Sequence, residues 1–212
     1  MEGYGGKIKF QYRMLAKVYD LMDIILFPNK EKNPRLALAK HVPNDSLSVL
    51  DVCTGTGNSA ISIAVTNSNN EVTGIDLSKQ MLAVAGRKIK KRNLTNITLQ
   101  YMDAAHIDIN KQFDIVTTSL SLHEIQNDLR RSVVSGMAKV LKPNGRLYII
   151  EWEKPKGLIG SIIFMIFPYL FEPKGFGRFL KINWEDYLKQ FGLRVEGTEK
   201  YTFTKLIIAT KN

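Results

Sequence analysis

The chain has 212 residues, a hydrophobic fraction of 44% and a net charge of +10 at pH 7, which allows one α/β domain with a modest insertion and a sizeable core. Its one cysteine, Cys53, excludes a disulfide framework and a cysteine-based zinc site, and fits a reducing, cytoplasmic compartment. The basic excess suits nucleic acid, an anionic membrane surface or an acidic substrate without choosing among them.

In chain order, Met1–Lys17 is polar and charged, with none of the apolar run of a signal peptide. Residues 1–42 read as an N-terminal helical cap, with a helical pattern around Phe10–Phe27 and a break at Asn29-Lys-Glu-Lys-Asn-Pro34. Five short apolar segments bounded by turn residues then read as buried parallel strands: Ser48–Val52, Glu71–Ile75, Ile97–Tyr101, Phe113–Ser119 and Arg146–Trp152. Helical patterns lie between them at Asn58–Thr66, Ser78–Arg92 and Asn127–Leu141. Ser78 is the N-cap of the second, and Lys142-Pro-Asn-Gly145 stops the third. The basic run Arg87-Lys-Ile-Lys-Lys-Arg92 is read as a solvated last helical turn complementing the helix dipole, with an anion-binding patch as the alternative. Met102–Gln112 is mostly loop.

The stretch 153–182 interrupts the alternation as an apolar insertion. Its centre, Gly157–Phe171, is too short and too broken by Pro168 to span a bilayer. Lys154 and Lys156 precede it, and Lys174, Arg178 and Lys181 follow. It can pack against Phe10–Phe27, cap a lipophilic substrate, or rest on the inner face of an anionic membrane. Asn183 then caps a helix over Trp184–Phe191, and Leu193–Lys200 and Phe203–Thr210 form a hairpin. The whole reads as a single doubly wound α/β domain, residues 1–212, with a mostly parallel sheet closed by an antiparallel C-terminal hairpin strand.

Val49-Leu-Asp-Val-Cys-Thr-Gly-Thr-Gly57 runs from a strand through a glycine turn into a helix. Gly55 and Gly57 let the backbone approach a ligand at a helix N-terminus. Such a loop also marks dinucleotide sites. Asp51 separates the two cases: a carboxylate at the strand tip suits a ligand with a cationic amino group and a sulfonium, and repels a pyrophosphate. Gly74-Ile-Asp76 ends the next strand with a carboxylate placed for ribose hydroxyls, and Asp103-Ala104 follows the third strand, where a carboxylate can take an adenine amino group.

With these residues in order, the chain resembles the class I S-adenosylmethionine (SAM)-dependent methyltransferases from Val49 to Trp152. The matches are Leu50–Gly57, Gly74–Leu82, Asp103-Ala104, Phe113-Asp-Ile-Val116 and Val140–Leu147. The resemblance implies a seven-stranded Rossmann-like methyltransferase fold with SAM as cofactor. It implies that Asp51, Thr54, Gly55, Thr56 and Gly57 surround the methionine part and Asp76 holds the ribose. Leu77 and Met81 flank the adenine, Asp103 and Ala104 meet its edge, Ser119 lies at the fourth strand tip, and Tyr19 closes over the cofactor. Val18-Tyr-Asp-Leu-Met22 and Leu147–Pro155 are closest to the ubiquinone/menaquinone C-methyltransferases. The chain departs from them at Asn58, where they carry an acidic residue, and at Leu122-His-Glu124, where they carry an Arg-Asn pair. Bacterial phospholipid N-methyltransferases share the general pattern.

The acceptor side centres on Ser119-Leu-Ser-Leu-His-Glu124. His123 is the candidate general base, the alternative being a histidine that packs or caps. His106 and His41 are less central, and the three histidines have no metal-ligand spacing, so no metal is expected. The Asn/Asp-Pro-Pro-aromatic tetrad of exocyclic-amine methyltransferases is absent from this tip. The lone cysteine lies in the glycine loop, not where a cytosine C5 nucleophile stands. The expected partner is therefore a small, lipophilic acceptor, a quinol-type ring or a lipid headgroup amine, with no nucleic acid. The competing class is a non-enzymatic SAM- or adenosine-binding regulator or membrane-associated module.

Overall fold

The computed structural model describes residues 33–155 and 175–212. Tyr19, the Phe10–Phe27 pattern and the Gly157–Phe171 run lie outside them. Within them, seven strands form one sheet: β1 (Ser48–Val52), β2 (Glu71–Asp76), β3 (Ile97–Tyr101), β4 (Phe113–Ser119), β5 (Leu141–Trp152), β6 (Leu193–Lys200) and β7 (Thr204–Lys211). The spatial order is β3-β2-β1-β4-β5-β7-β6. The first five positions are parallel, and β7 runs antiparallel to both of its neighbours. This is the Rossmann-like methyltransferase architecture that the sequence led us to expect.

Alternation along the central strands feeds two cores. Leu50, Val52, Val116, Leu147 and Ile149 pack on one face with Val133, Val134 and Met137. Val49, Ile115, Tyr148 and Ile150 pack on the other with Leu38, Ala60 and Ile63. Both faces are covered, so every residue of β1 is buried, the burial that makes its sequence read as a continuous apolar run broken only by Asp51.

The helices are α1 (Pro34–His41), α2 (Asn58–Thr66), α3 (Lys79–Lys91), α4 (Asn127–Val140), α5 (Phe176–Phe179) and α6 (Trp184–Lys189), with a 3₁₀ turn at Leu122–Glu124. Ser78 Oγ accepts from Met81 N as the α3 cap, and Asn183 Oδ1 accepts from Glu185 N and Asp186 N at α6. Two boundaries differ from expectation. The Asn29–Pro34 break is also a helix start: Asn33 accepts from Arg35 N, and Pro34 takes the first helical position, where its missing N–H is not needed. The strand β5 begins at Leu141, which pairs with Phe113 before Lys142–Gly145 loops out; pairing resumes at Arg146 with Ile115. The Pro-Asn-Gly turn is thus a bulge within β5, with Asn144 at φ 60°.

Candidate active site

The strands β1 and β4 are neighbours, while β1 pairs with β2 on its other side. Connections leave β1 and β4 toward opposite edges of the sheet, and a crevice forms at the carboxyl ends of such a pair. Backbone strain collects there. Cys53, just past β1, has φ 56°, and Leu120, just past β4, has φ 52°, a left-handed conformation that costs a non-glycine residue about 1–2 kcal/mol.

The loop after β1 is held by Thr54 N donating to Ile75 O and Gly57 N donating to Thr54 O, both at 2.9 Å. The two glycines differ. At Gly57 (φ 79°) a Cβ would lie 2.9 Å from Ala85 Cβ, so this glycine lets α2 start tight against α3. At Gly55 (φ 55°) a Cβ would meet nothing within 4 Å: the backbone faces an open cradle. Behind it the N-cap of α2 is Gly57 itself, and the Asp51 carboxylate takes the Ala60 backbone N–H in the first turn. An exposed peptide at a helix start and nearby carboxylates fit a ligand that carries both a carboxylate and a cationic centre.

Asp51 lies opposite Gly74 on β2 and Thr117 on β4. Its side chain is enclosed, with Thr54 Oγ1 donating to Oδ2 at 2.6 Å and Thr117 Oγ1 donating to Oδ1 at 2.8 Å. Burial pushes this carboxyl up to about 6 in spite of both hydroxyls. Asp76 ends β2, where Gly55 N donates to Oδ2 at 2.8 Å and Ser78 N to Oδ1 at 2.7 Å. Burial raises its pKa too, and the two backbone donors oppose the rise. The thiol of Cys53, between these carboxylates, is pushed up to about 12 by burial and by the charge of Asp76, so it stays a neutral thiol and not a nucleophile.

Along the β2 and β3 tips, Leu77 is 59% exposed, whereas Met81 is buried. Thr56, after β1, and Ala104, after β3, are buried as well. Asp103 Oδ1 accepts from Ala105 N at 2.9 Å, and its Oδ2 lies 3.5 Å from the largely exposed His106. The fold thus gathers Asp51, Thr54, Gly55, Thr56, Gly57, Asp76, Leu77, Met81, Asp103 and Ala104 around the ends of β1, β2 and β3. His41 joins none of them; it pairs with Glu199 at 2.7 Å.

Ser119 ends β4 with its Oγ buried and without a hydrogen-bond partner. His123 follows on the 3₁₀ turn and is 5% exposed. Its Nδ1 lies 2.8 Å from Glu151 Oε2, and Trp152 Nε1 donates to its Nε2 at 3.2 Å. The rings of Trp152, Phe176 and Phe179 stand edge-on to it at centroid distances near 6 Å. Trp152 and Phe176 form an apolar cluster with Leu120, Leu180 and Phe203. Arg130 on α4 fixes the turn from below: Nε donates to Leu122 O and Nη2 to Ile125 O, both at 2.8 Å, and its guanidinium lies 4.7 Å from the Phe179 ring centre.

Sequence reasoning singled out His123 but not Glu151, Trp152 or Arg130 as its partners. One signal was present: Glu151 is a carboxylate inside the apolar run Leu147–Trp152. Among the described residues no His, Cys, Asp and Glu group could hold a metal, and no helix is long and apolar enough to cross a membrane.

Comparison with known proteins agrees with this fold. The family described as a methyltransferase domain matches residues 49–145. The demethylmenaquinone methyltransferase of Geobacillus sp. (strain WCH70) is 29% identical over 184 residues, covering 85% of this chain and 77% of the relative. The ubiquinone/menaquinone biosynthesis C-methyltransferase UbiE of Geotalea daltonii is 26% identical over 214 residues, covering 98% and 89%. Among solved structures, a SAM-dependent methyltransferase from Aquifex aeolicus superposes with a TM-score of 0.66 at 20% identity, covering 85% of this chain and 90% of that one. The magnesium protoporphyrin IX methyltransferase from Synechocystis PCC 6803 with bound SAH gives 0.66 at 18% identity, covering 90% and 86%.

Proposed function

Given that the chain is a class I SAM-dependent methyltransferase, we propose that it methylates a small lipophilic acceptor, a quinol-type ring ahead of a lipid headgroup amine. The observation that carries this reading is the aromatic and aliphatic cluster of Trp152, Phe176, Leu120, Leu180 and Phe203 against His123 and next to the end of β4. A flat apolar ring gains from such a wall both by burial and by edge-to-face contact. The names of the quinone-pathway relatives support the same class. The cationic flanks of the 157–171 run support peripheral contact with an anionic membrane, from which such an acceptor would be drawn.

When bound, SAM would supply a methyl group on a sulfonium sulfur, its carbon open to in-line displacement. The chain's task is then to position two partners and exclude water. In this reading the Gly55 cradle and the α2 N-terminus would receive the methionine carboxylate, and Asp51 and its two threonines would face the cationic end. Asp76 would take the ribose hydroxyls, Leu77 and Met81 would bracket the adenine with Asp103 and Ala104 at its edge, Ser119 would meet the cofactor from β4, and Tyr19, by the sequence resemblance alone, would close over it. His123 accepts the proton that the acceptor sheds. Incubation with methyl-labelled SAM and either a demethylated quinol or a total lipid extract tests the acceptor class. Label in the quinol is expected; label confined to phospholipid amines would shift the reading to headgroups, and label in neither would remove a lipophilic acceptor.

A further inference from the structure

The tautomer of His123 follows from its neighbours. An indole N–H can only donate, so the Trp152 bond to Nε2 at 3.2 Å requires a lone pair there. A neutral imidazole then carries its proton on Nδ1, and the 2.8 Å contact to Glu151 Oε2 is a bond that Glu151 accepts. Glu151 has no exposed surface. Its Oε1 accepts from Ser121 N at 3.1 Å and Leu122 N at 2.8 Å, and Oε2 also takes Trp152 N at 3.3 Å. A buried carboxylate with this many donors does more than fill the core: it ties the end of β5 to the turn that carries the histidine and sets the ring's orientation.

We propose that Glu151 is a positioning residue for proton transfer, holding His123 as the Nδ1–H tautomer and balancing its charge once Nε2 is protonated, while the Trp152 indole guards the Nε2 lone pair until the acceptor displaces it. The inference rests on the reading of His123 as base. The step itself is balanced: the acceptor's O–H, N–H or C–H bond breaks, its electron pair stays on the acceptor, an Nε2–H bond forms, and the proton leaves to solvent after product departs. The other charged groups facing the ring among the described residues are Glu124, with Oε1 4.0 Å from Nε2, and Arg130, whose guanidinium sits behind Phe179 and next to Tyr187. Both carboxylates favour the imidazolium and Arg130 opposes it, with Glu151 in direct contact.

The test is ring-nitrogen NMR of the ¹⁵N-histidine-labelled protein, in which His41 and His106 serve as internal references. The native protein should show His123 as the Nδ1–H form. Glu151→Gln should lower the pH at which the ring protonates by about one unit or more, the effect of removing an opposite charge in contact. Trp152→Phe should raise it, because a donor to the neutral form is lost. General unfolding cannot produce opposite shifts, and SAM binding by calorimetry should be retained in both variants. An Nε2–H native tautomer, or shifts in the same direction, would overturn the proposal. Because these readouts need no acceptor, they stand apart from the acceptor assignment. With the expected NMR in hand, a Glu151→Gln rate profile in which the acidic limb of turnover stays put would overturn His123 as base.

Discussion

The backbone N–H of Gly55 donates to Asp76 Oδ2 at 2.8 Å, so the glycine loop after β1 is bonded to the carboxylate at the end of β2. The second oxygen is held by Ser78 N. The side chain is therefore fixed before any ligand arrives, with acceptor capacity left over, since each carboxylate oxygen offers two lone pairs. Replacing Asp76 with Ala removes both the ribose acceptor and the anchor of the Gly55 peptide. Hydrogen bonds to a charged group are worth about 1.5–3 kcal/mol each, so SAM affinity should fall on the order of 10²-fold or more in calorimetry. Asp76→Asn should lose less. An affinity within twofold of the native value in Asp76→Ala would remove the residue from the cofactor site.

Asp51 predicts a trade between stability and binding. Its folded carboxyl sits at about 6 against an ordinary 3.8, so the folded state binds the proton more tightly than the unfolded one. The contribution to stability is complete below 3.8 and is lost as pH rises through about 6, leaving an ionised group that costs the fold about 3 kcal/mol at neutral pH. Asp51→Asn keeps the shape, and Thr54 and Thr117 can turn their hydroxyls to match it. The variant should gain stability at pH 7 in denaturant titration, by about 1–3 kcal/mol, with the gain vanishing near pH 4, while SAM binding weakens. A variant that is destabilised at pH 7 would contradict this.

The two loop glycines should separate folding from binding. Gly57→Ala faces both a left-handed backbone and Ala85 Cβ at 2.9 Å, so it should destabilise the protein by about 2 kcal/mol or more. Gly55→Ala carries only the backbone penalty, about 1–2 kcal/mol, but places a methyl group in the open cradle. It should lower SAM affinity far more than it lowers the melting temperature. Equal effects of the two substitutions on both measurements would be incompatible with this division.

Asp114 marks the acid limit of the fold. Partial burial raises its pKa, but Lys142 at 2.7 Å and the Ser48 amide and hydroxyl outweigh it and hold the carboxyl at about 2. This contribution is complete above the ordinary value of 3.8 and is lost as pH falls through about 2. Lys142 is 43% exposed, so solvent screening reduces the effect, and Asp114→Asn should cost about 1 kcal/mol at pH 7. The difference between variant and native protein should close at low pH.

Strand positions were readable from sequence because parallel strands covered on both faces are apolar runs, and β1 to β4 fall within a residue of where those runs lie. The two misplaced boundaries share a cause. Asn33-Pro34 and Pro143-Asn144-Gly145 are signals that a helix or strand is interrupted, yet the same residues begin α1 and form a bulge in β5; only the neighbouring strand, through Leu141 pairing with Phe113, decides between a stop and a detour. The loop residues and the strand-tip carboxylates were visible through their spacing. Glu151 and Arg130 were not, because their partners at positions 121–125 reach them only across the packed β4–β5 register and the α4 interface. An isolated glutamate within a hydrophobic run marks a buried carboxylate but does not name the histidine 28 residues earlier as its partner.

The place of β7 sets an order of events during synthesis. It is the last strand in chain order but lies between β5 and β6, with backbone pairing from Arg146 to Trp152 on one side and from Leu193 to Lys200 on the other. While the ribosome is still making residues 204–211, the apolar edge of β5 lacks its partner, although the preceding strands are already available to assemble. An open, hydrophobic strand edge is a template for pairing with other chains. The nascent protein is therefore open to such pairing until β7 has entered, and only then do the charged residues facing outward on β6 become the sheet's protective edge.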